Sequence, residues 1–366
     1  MRVALVHDYL LTKGGAERVL ETLVEIFPRA DIYTIVLDPE KFANLSSKTR
    51  IFTSFLQKTP FKKNMNFLRI FAPVAIESLD LSDYDLVISD SSAYAHGVIT
   101  KTSTCHICYY HTPMRYLWDY YPNLLSQPEL KGLKGILAKT SFHFLRIWDQ
   151  AASKRPDFVI ANSKNVAQRI KHYYRREVDA IIYPPVDIHN LKLSQEKKDY
   201  FLVVSRLTPP KKVEIAIRAA NELKERLLVV GEGRSFSQLK NLAGPTIQLL
   251  GFQEDNVIKE LLGQAQAFLF TPEEDFGIAP VEAMACGTPV IAYKAGGALE
   301  TVIEGKTGIF FDKQTPESLK EAILKFKRIK HNFDPQVIRK HSLQFSKEIF
   351  IERFKKFVEQ KLGLKI

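Results

Sequence analysis

Cysteine is scarce, three in 366 residues, too few and too unevenly placed for a disulfide framework. Cys105 and Cys108 form one CxxC pair. No second pair completes a zinc site and no helix start follows to activate a thiolate, so the pair is expected to be two small apolar residues on a buried strand. No uninterrupted run of about 18 apolar residues occurs, which argues against a transmembrane helix. The opening "MRVALVHDYL" has no basic region ahead of a long apolar one, so no signal peptide is expected and the cytoplasm is the expected compartment. The first loop lacks the GxGxxG spacing, which sets dinucleotide dehydrogenases aside. Lys and Arg total 52 against 41 acids, a net charge of +11, which suits phosphates, nucleic acid or anionic lipid. No recognised nucleic-acid module accompanies that charge, so nucleic acid is the least favoured of the three.

What is present is alternation. Short runs rich in Val, Ile and aromatics are separated by longer segments of helical period, the pattern of an α/β protein with parallel sheets covered on both faces. In the first half the runs are "RVALVHDY", "ADIYTIVL", "YDLVISD", "CHICYYH", "DFVIANS" and "AIIYPP". The segment 188–199, "IHNLKLSQEKKD", is polar and aperiodic and serves as a linker. After it the alternation restarts with "YFLVVSRL", "RLLVVGEG", "IQLLGF", "AFLFTP", "PVIAY" and "GIFF". Two Rossmann-like domains are expected, 1–186 and 187–344. A terminal amphipathic helix over 345–366 has Ile349, Phe350, Phe354, Phe357 and Val358 on one stripe and Ser346 as its cap. It could cap the second domain or pack back on the first.

Doubly wound sheets bind ligands outside the carboxyl ends of their strands. Three loops there carry suggestive chemistry. Gly14 and Gly15 precede a helix whose first N–H groups could face an anion, although a glycine pair before a helix is common. Arg206 and Lys211 flank a Pro-containing turn after a strand and could clamp a diphosphate, or form an ordinary solvated basic turn. "EEDFG" leads into a helix with Pro280 in its first turn, so the N–H groups of Phe276, Gly277 and Ile278 could point at phosphate. The same stretch sets Glu274 and Glu282 eight positions apart. Two carboxylates repel a diphosphate, but each accepts strong hydrogen bonds from a diol. One could hold a ribose and the other a sugar, which together describe a sugar nucleotide, unless the three acids 273–275 simply favour the nearby helix start.

At these residues the sequence closely resembles the retaining glycosyltransferases of family 4, which have the GT-B fold of two Rossmann-like domains facing a central cleft. The family's E-x7-E motif matches Glu274 to Glu282 and continues into "EAMACGTPVIA"; the Gly14–Gly15 loop, the Arg206 and Lys211 pattern and "VGEG" match as well. The resemblance implies that Arg206 and Lys211 contact the donor diphosphate, Gly15 gives backbone access to the distal phosphate, Glu282 holds ribose and Glu274 the transferred sugar. "YYHTPMRYLWD" resembles the loop holding the family's active-site histidine, here His111. That run is similar to a subgroup containing bacterial mannosyltransferases of O-antigen and other surface polysaccharides, which implies GDP-mannose as donor. No Asp-x-Asp stands where a metal would be needed, so no metal or other cofactor is expected.

Both motif glutamates have binding roles in this resemblance, so no nucleophile of the glycosidase kind is left. Same-face transfer is expected, the leaving diphosphate accepting the incoming hydroxyl's proton while Arg206 and Lys211 stabilise its charge. From Lys41 to Ile76 there are seven Lys or Arg and no acid, interleaved with Phe42, Phe52, Phe55, Phe61, Phe67 and Phe71. That mixture suits an anionic membrane surface and hence a lipid-linked or other glycan acceptor, unless the phenylalanines are core. The alternatives are a GT-B transferase using a UDP-sugar, a GT-B epimerase or phosphorylase, and a non-catalytic sugar-nucleotide-binding or scaffold subunit.

Overall fold

A computed structural model describes all residues except 61, 63, 123–131, 195 and 366, together with all side chains but those of 65–67, 133 and 134 among them. The chain divides into two compact units, Met1–Tyr183 with Ile351–Ile366, and Pro184–Phe350.

The first unit is built on a seven-stranded parallel sheet. Its strands are β1 (Val3–His7), β2 (Asp31–Thr34), β3 (Ile51–Thr53), β4 (Leu86–Ser91), β5 (Cys105–Tyr110), β6 (Phe158–Ala161) and β7 (Ala180–Ile181), in the spatial order β3-β2-β1-β4-β5-β6-β7. β1 is continuously apolar up to His7 because helices cover both faces of the sheet. On one face, Leu68, Ala72, Ala75 and Ile76 of helix Met65–Glu77 share a core with Phe142 and Leu145 of helix Gly132–Ala152 and with Val6 and Val87 of the sheet. Each large apolar side chain buried this way contributes about 1.5–3 kcal/mol. Cys108 is buried in a second core cluster with Tyr110, Val159 and Ala161, and burial pushes the Cys105 thiol up to about 11.

β3 is not marked by the sequence pattern. It pairs with β2 at the sheet edge, inside the basic stretch 41–76. There Phe42 is core, whereas Phe52, Phe55 and Phe71 are exposed, so the phenylalanines of that stretch divide between the two expected placements. Phe52 stacks on the Tyr33 ring with centroids 4.9 Å apart, and Arg50 makes two 2.8 Å hydrogen bonds to the Asp31 carboxylate. Phe61 and the Phe67 side chain lie outside the described residues.

The second unit repeats the plan with six parallel strands, β8 (Lys198–Val204), β9 (Leu227–Val230), β10 (Ile247–Gly251), β11 (Ala265–Phe270), β12 (Val290–Tyr293) and β13 (Gly308–Phe311), ordered β10-β9-β8-β11-β12-β13. The terminal helix Lys347–Leu362 starts here, with Ser346 Oγ accepting from Ile349 N at 3.4 Å. From Ile351 onward it belongs to the first unit, where the Phe357 ring meets Phe158 edge-on and Lys361 bonds Asp179 at 3.0 Å. No helix among the described residues is long and apolar enough to cross a membrane.

Candidate active site

Each sheet has one place where the strand order reverses, between β1 and β4 in the first unit and between β8 and β11 in the second. Chain crossovers leave on opposite faces there and open a crevice at the carboxyl ends. The candidate residues gather at these two places.

In the first unit His7 ends β1, Asp90 lies near the end of β4, and His111 follows β5. Asp90 is fully buried and its carboxylate takes two charge-assisted bonds, from His7 Nδ1 at 2.8 Å and from His111 Nε2 at 2.6 Å. Burial alone would raise the Asp90 pKa, but the two imidazoles hold it below the ordinary value. For His7, burial works toward neutrality and is overcome by Asp90 and Glu17, which push its pKa up to about 10. Glu17, in the first turn of helix Gly15–Ile26, lies 3.6 Å from His7 Nε2. A continuous polar chain thus runs from the Gly14–Gly15 helix start through Glu17, His7 and Asp90 to His111. Gly14 itself has φ −163 and ψ −161, extended backbone open to any residue, so the turn does not demand glycine.

His111 retains 12% exposure, and its Nε2–H is committed to Asp90. In the neutral ring the lone pair is then on Nδ1, the tautomer logic of a carboxylate-held histidine base. Thr112 Oγ1, next in sequence, is buried with no hydrogen-bond partner among the described residues. It leaves open hydrogen-bonding capacity beside the histidine. A neighbouring carboxylate, Asp8, plays a structural part. It accepts from the N–H groups of Ser92, Ala93, Tyr94 and Ala95 at 2.6–2.9 Å and fixes the loop after β4.

In the second unit Arg206 and Lys211 follow β8, and Glu273 to Ile278 follow β11. Arg206 is exposed, but Lys211 Nζ donates to Glu274 Oε1, so the sequence's pair of cations is here one open cation and one cation held by the acid across the switch point. Thr271 Oγ1 bonds the Lys211 carbonyl at 2.9 Å and ties the two loops together. Helix Ile278–Ala285 is capped by Gly277 at φ 87, a left-handed conformation that favours glycine. Phe276 and Gly277 are buried at its start, and Glu282 lies partly buried in its second turn.

Sequence reasoning missed what holds this loop. After β12, Gly297 N donates to the Glu274 carbonyl at 2.8 Å, and a Cβ on Gly297 would stand 2.3 Å from the Phe276 Cα. Only glycine permits that approach. Asp90, His7 and Glu17 were also missed; the signal available was a polar residue at the end of each buried run, in "VALVHD" and "VISDSS". Among the described residues no group of three or more His, Cys, Asp or Glu is placed to hold a metal.

Two family models match the chain, "Glycosyltransferase Family 4" over residues 13–190 and "Glycosyl transferases group 1" over 187–340. The alpha-1,3/1,6-mannosyltransferase alg2 of Schizosaccharomyces pombe is 25% identical over 84% of this chain and 70% of its own. A GDP-mannose-dependent alpha-(1-6)-phosphatidylinositol monomannoside mannosyltransferase of Mycolicibacterium smegmatis is 34% identical over 33% of this chain and 36% of its own. Among solved structures, Anabaena Alr3699/HepE in complex with UDP-glucose superposes with a TM-score of 0.71 at 20% identity, over 98% of this chain and all of that one. Two doubly wound units matched by these models make the chain a glycosyltransferase of the GT-B fold. The chain belongs to glycosyltransferase family 4.

Proposed function

We propose that this glycosyltransferase moves mannose from GDP-mannose, with retention at the anomeric carbon, to a glycan or lipid-linked acceptor in surface polysaccharide synthesis. The observation that carries the reading is the Lys211–Glu274 pair across the β8/β11 switch point. It sets a cation for phosphate beside a carboxylate for sugar hydroxyls, the two chemistries a sugar nucleotide presents. Mannose and GDP are supported by the printed activities of the fission-yeast and mycobacterial relatives.

In the proposed reaction the bond from the anomeric carbon to the diphosphate oxygen breaks and a bond to the acceptor oxygen forms on the same face. The acceptor's proton passes to the departing phosphate oxygen. Arg206, Lys211 and the N–H groups of Phe276, Gly277 and Ile278 meet the charge that grows there, and no metal is required of them. Glu282 holds the ribose, Gly14 and Gly15 admit the distal phosphate, and His111 contacts the transferred sugar.

A membrane surface remains the proposed site of the acceptor, now with a second helix. Exposed Ile70, Phe71 and Val74 on helix Met65–Glu77 are joined by exposed Ile136, Leu137, Phe144 and Ile147 on helix Gly132–Ala152. These stripes face outward from two helices that share one core, and cations such as Lys139 accompany them. Apolar side chains with flanking cations suit peripheral attachment to anionic lipid on the cytoplasmic side.

Turnover of a panel of GDP-, UDP- and ADP-sugars, followed by NMR, tests the proposal. Release of mannose from GDP-mannose with its α configuration kept is expected. Turnover of a UDP-sugar instead would discard mannose and keep the class. Absence of both binding and turnover would favour a non-catalytic subunit.

A further inference from the structure

The second unit has a pocket of about 570 Å³ at the amino ends of β8, β11 and β12, the end of the sheet opposite Lys211 and Glu274. Its lining includes Lys197, Lys198, Lys327, Lys330 and His331 against one acid, Asp199. Two of these lysines are engaged: Lys197 Nζ donates to the Gly263 carbonyl at 2.7 Å and to Thr288 Oγ1 at 2.8 Å, and Lys327 pairs with Glu225. Lys198 and Lys330 have no ion-pair partner among the described residues. The pocket also has apolar wall, from Phe326 and Phe333.

Gln266 adds a demand of its own. It is 7% exposed, and its Nε2 donates to Asp199 Oδ1 at 3.1 Å. That bond fixes the amide orientation, because the flipped form would set oxygen against carboxylate. Gln266 Oε1 is then a buried acceptor with no donor among the described residues, on a side chain that borders a pocket rich in positive charge. Lysines ask for an anion, and the orphan oxygen asks for a hydrogen-bond donor on the same ligand.

We infer that this pocket binds an oxyanion that carries its own donor, meaning inorganic phosphate or a phosphorylated small molecule with a hydroxyl group. Lys198 and Lys330 hold the charge and Gln266 Oε1 accepts the ligand's O–H. Sulfate has the same shape but no proton at neutral pH, so the site discriminates between them.

Calorimetry on the full chain at pH 7 and low salt, with inorganic phosphate, glucose 6-phosphate and sulfate, tests this. An Arg206→Ala, Lys211→Ala background removes both side-chain cations of the proposed donor site and so weakens its competition. One phosphate or sugar phosphate should bind per chain, about tenfold or more tighter than sulfate. Tighter glucose 6-phosphate than phosphate points to a phosphorylated metabolite, and equal affinity to the free ion. Lys198→Ala with Lys330→Ala should weaken binding about tenfold or more, and Gln266→Met should bring phosphate and sulfate level. Thermal melting of each variant checks that it is folded. Equal binding of phosphate and sulfate to the parent, no binding at millimolar ligand, or unchanged binding in the folded Lys198 and Lys330 variant would each overturn the assignment.

Discussion

Lys211 Nζ donates to Glu274 Oε1 across the line where the second sheet reverses its strand order. The two side chains are 29% and 26% exposed, so the pair is within reach of solvent and is worth on the order of 1 kcal/mol or less. A diphosphate offers Lys211 more charge than Glu274 does. Exchange of partner would leave the carboxylate open to sugar hydroxyls.

That exchange separates two variants. Lys211→Ala should weaken nucleoside diphosphate binding about ten- to hundredfold, whereas Glu274→Gln should leave it unchanged or tighter while transfer falls. Calorimetry with the nucleotide and a turnover assay read the two effects. Equal weakening of nucleotide binding by both would contradict the exchange.

In the proposed reaction Asp90 acts through His111, whose Nε2 it bonds at 2.6 Å. With Asp90→Asn the imidazole loses the acceptor that sets its orientation and tautomer, so kcat should fall about a hundredfold or more, with a smaller change in KM. Asp90→Glu should restore part of the rate. A rate unchanged in folded Asp90→Asn would remove His111 from the chemistry.

His7 gives stability a basic limb. Its folded pKa of about 10 lies above the unfolded 6.5, so its contribution is complete below pH 6.5 and is lost as pH rises through 10, on the order of a few kcal/mol. Chemical denaturation of parent and His7→Gln between pH 6 and pH 10 should converge at the alkaline end. A constant gap across that range would mean that His7 is not charged in the fold.

Gly297→Ala should displace the loop that carries Glu274 and Phe276, because the new Cβ meets backbone, which has no rotamer to move. Transfer should be lost at a stability cost of about 1–3 kcal/mol. Donor turnover and a denaturation curve decide. Full turnover would show that the loop position does not matter.

The apolar stripe on helix Gly132–Ala152 should govern lipid attachment. Ile136→Ser with Phe144→Ser should reduce sedimentation with anionic vesicles several-fold and leave water-soluble donor turnover intact. Unchanged sedimentation would place the contact elsewhere.

The buried strands were legible because their apolar runs need no partner to be recognised; "VALVH" and "FLVV" are continuous in sequence and in the sheet. β3 was not, since Ile51–Thr53 is three residues long and none of them is buried, so both length and pattern fail. In the site, Glu274 and Lys211 stand out by spacing. Asp90 does not, because its bond to His7 joins residues 83 apart, and only the placing of β4 beside β1 creates that neighbourhood. Gly297 is obscure for a similar reason, since its need for a missing side chain comes from another loop's backbone.

The terminal helix returns to the first unit after the whole of the second, bringing Phe357 to Phe158 and Lys361 to Asp179. During synthesis, therefore, a nascent chain ending at Phe350 has every strand of the first sheet but still lacks a wall for Phe158. Residues from Ile351 onward leave the ribosome after the whole of the second unit, so ribosomal exit order completes the first unit after the second.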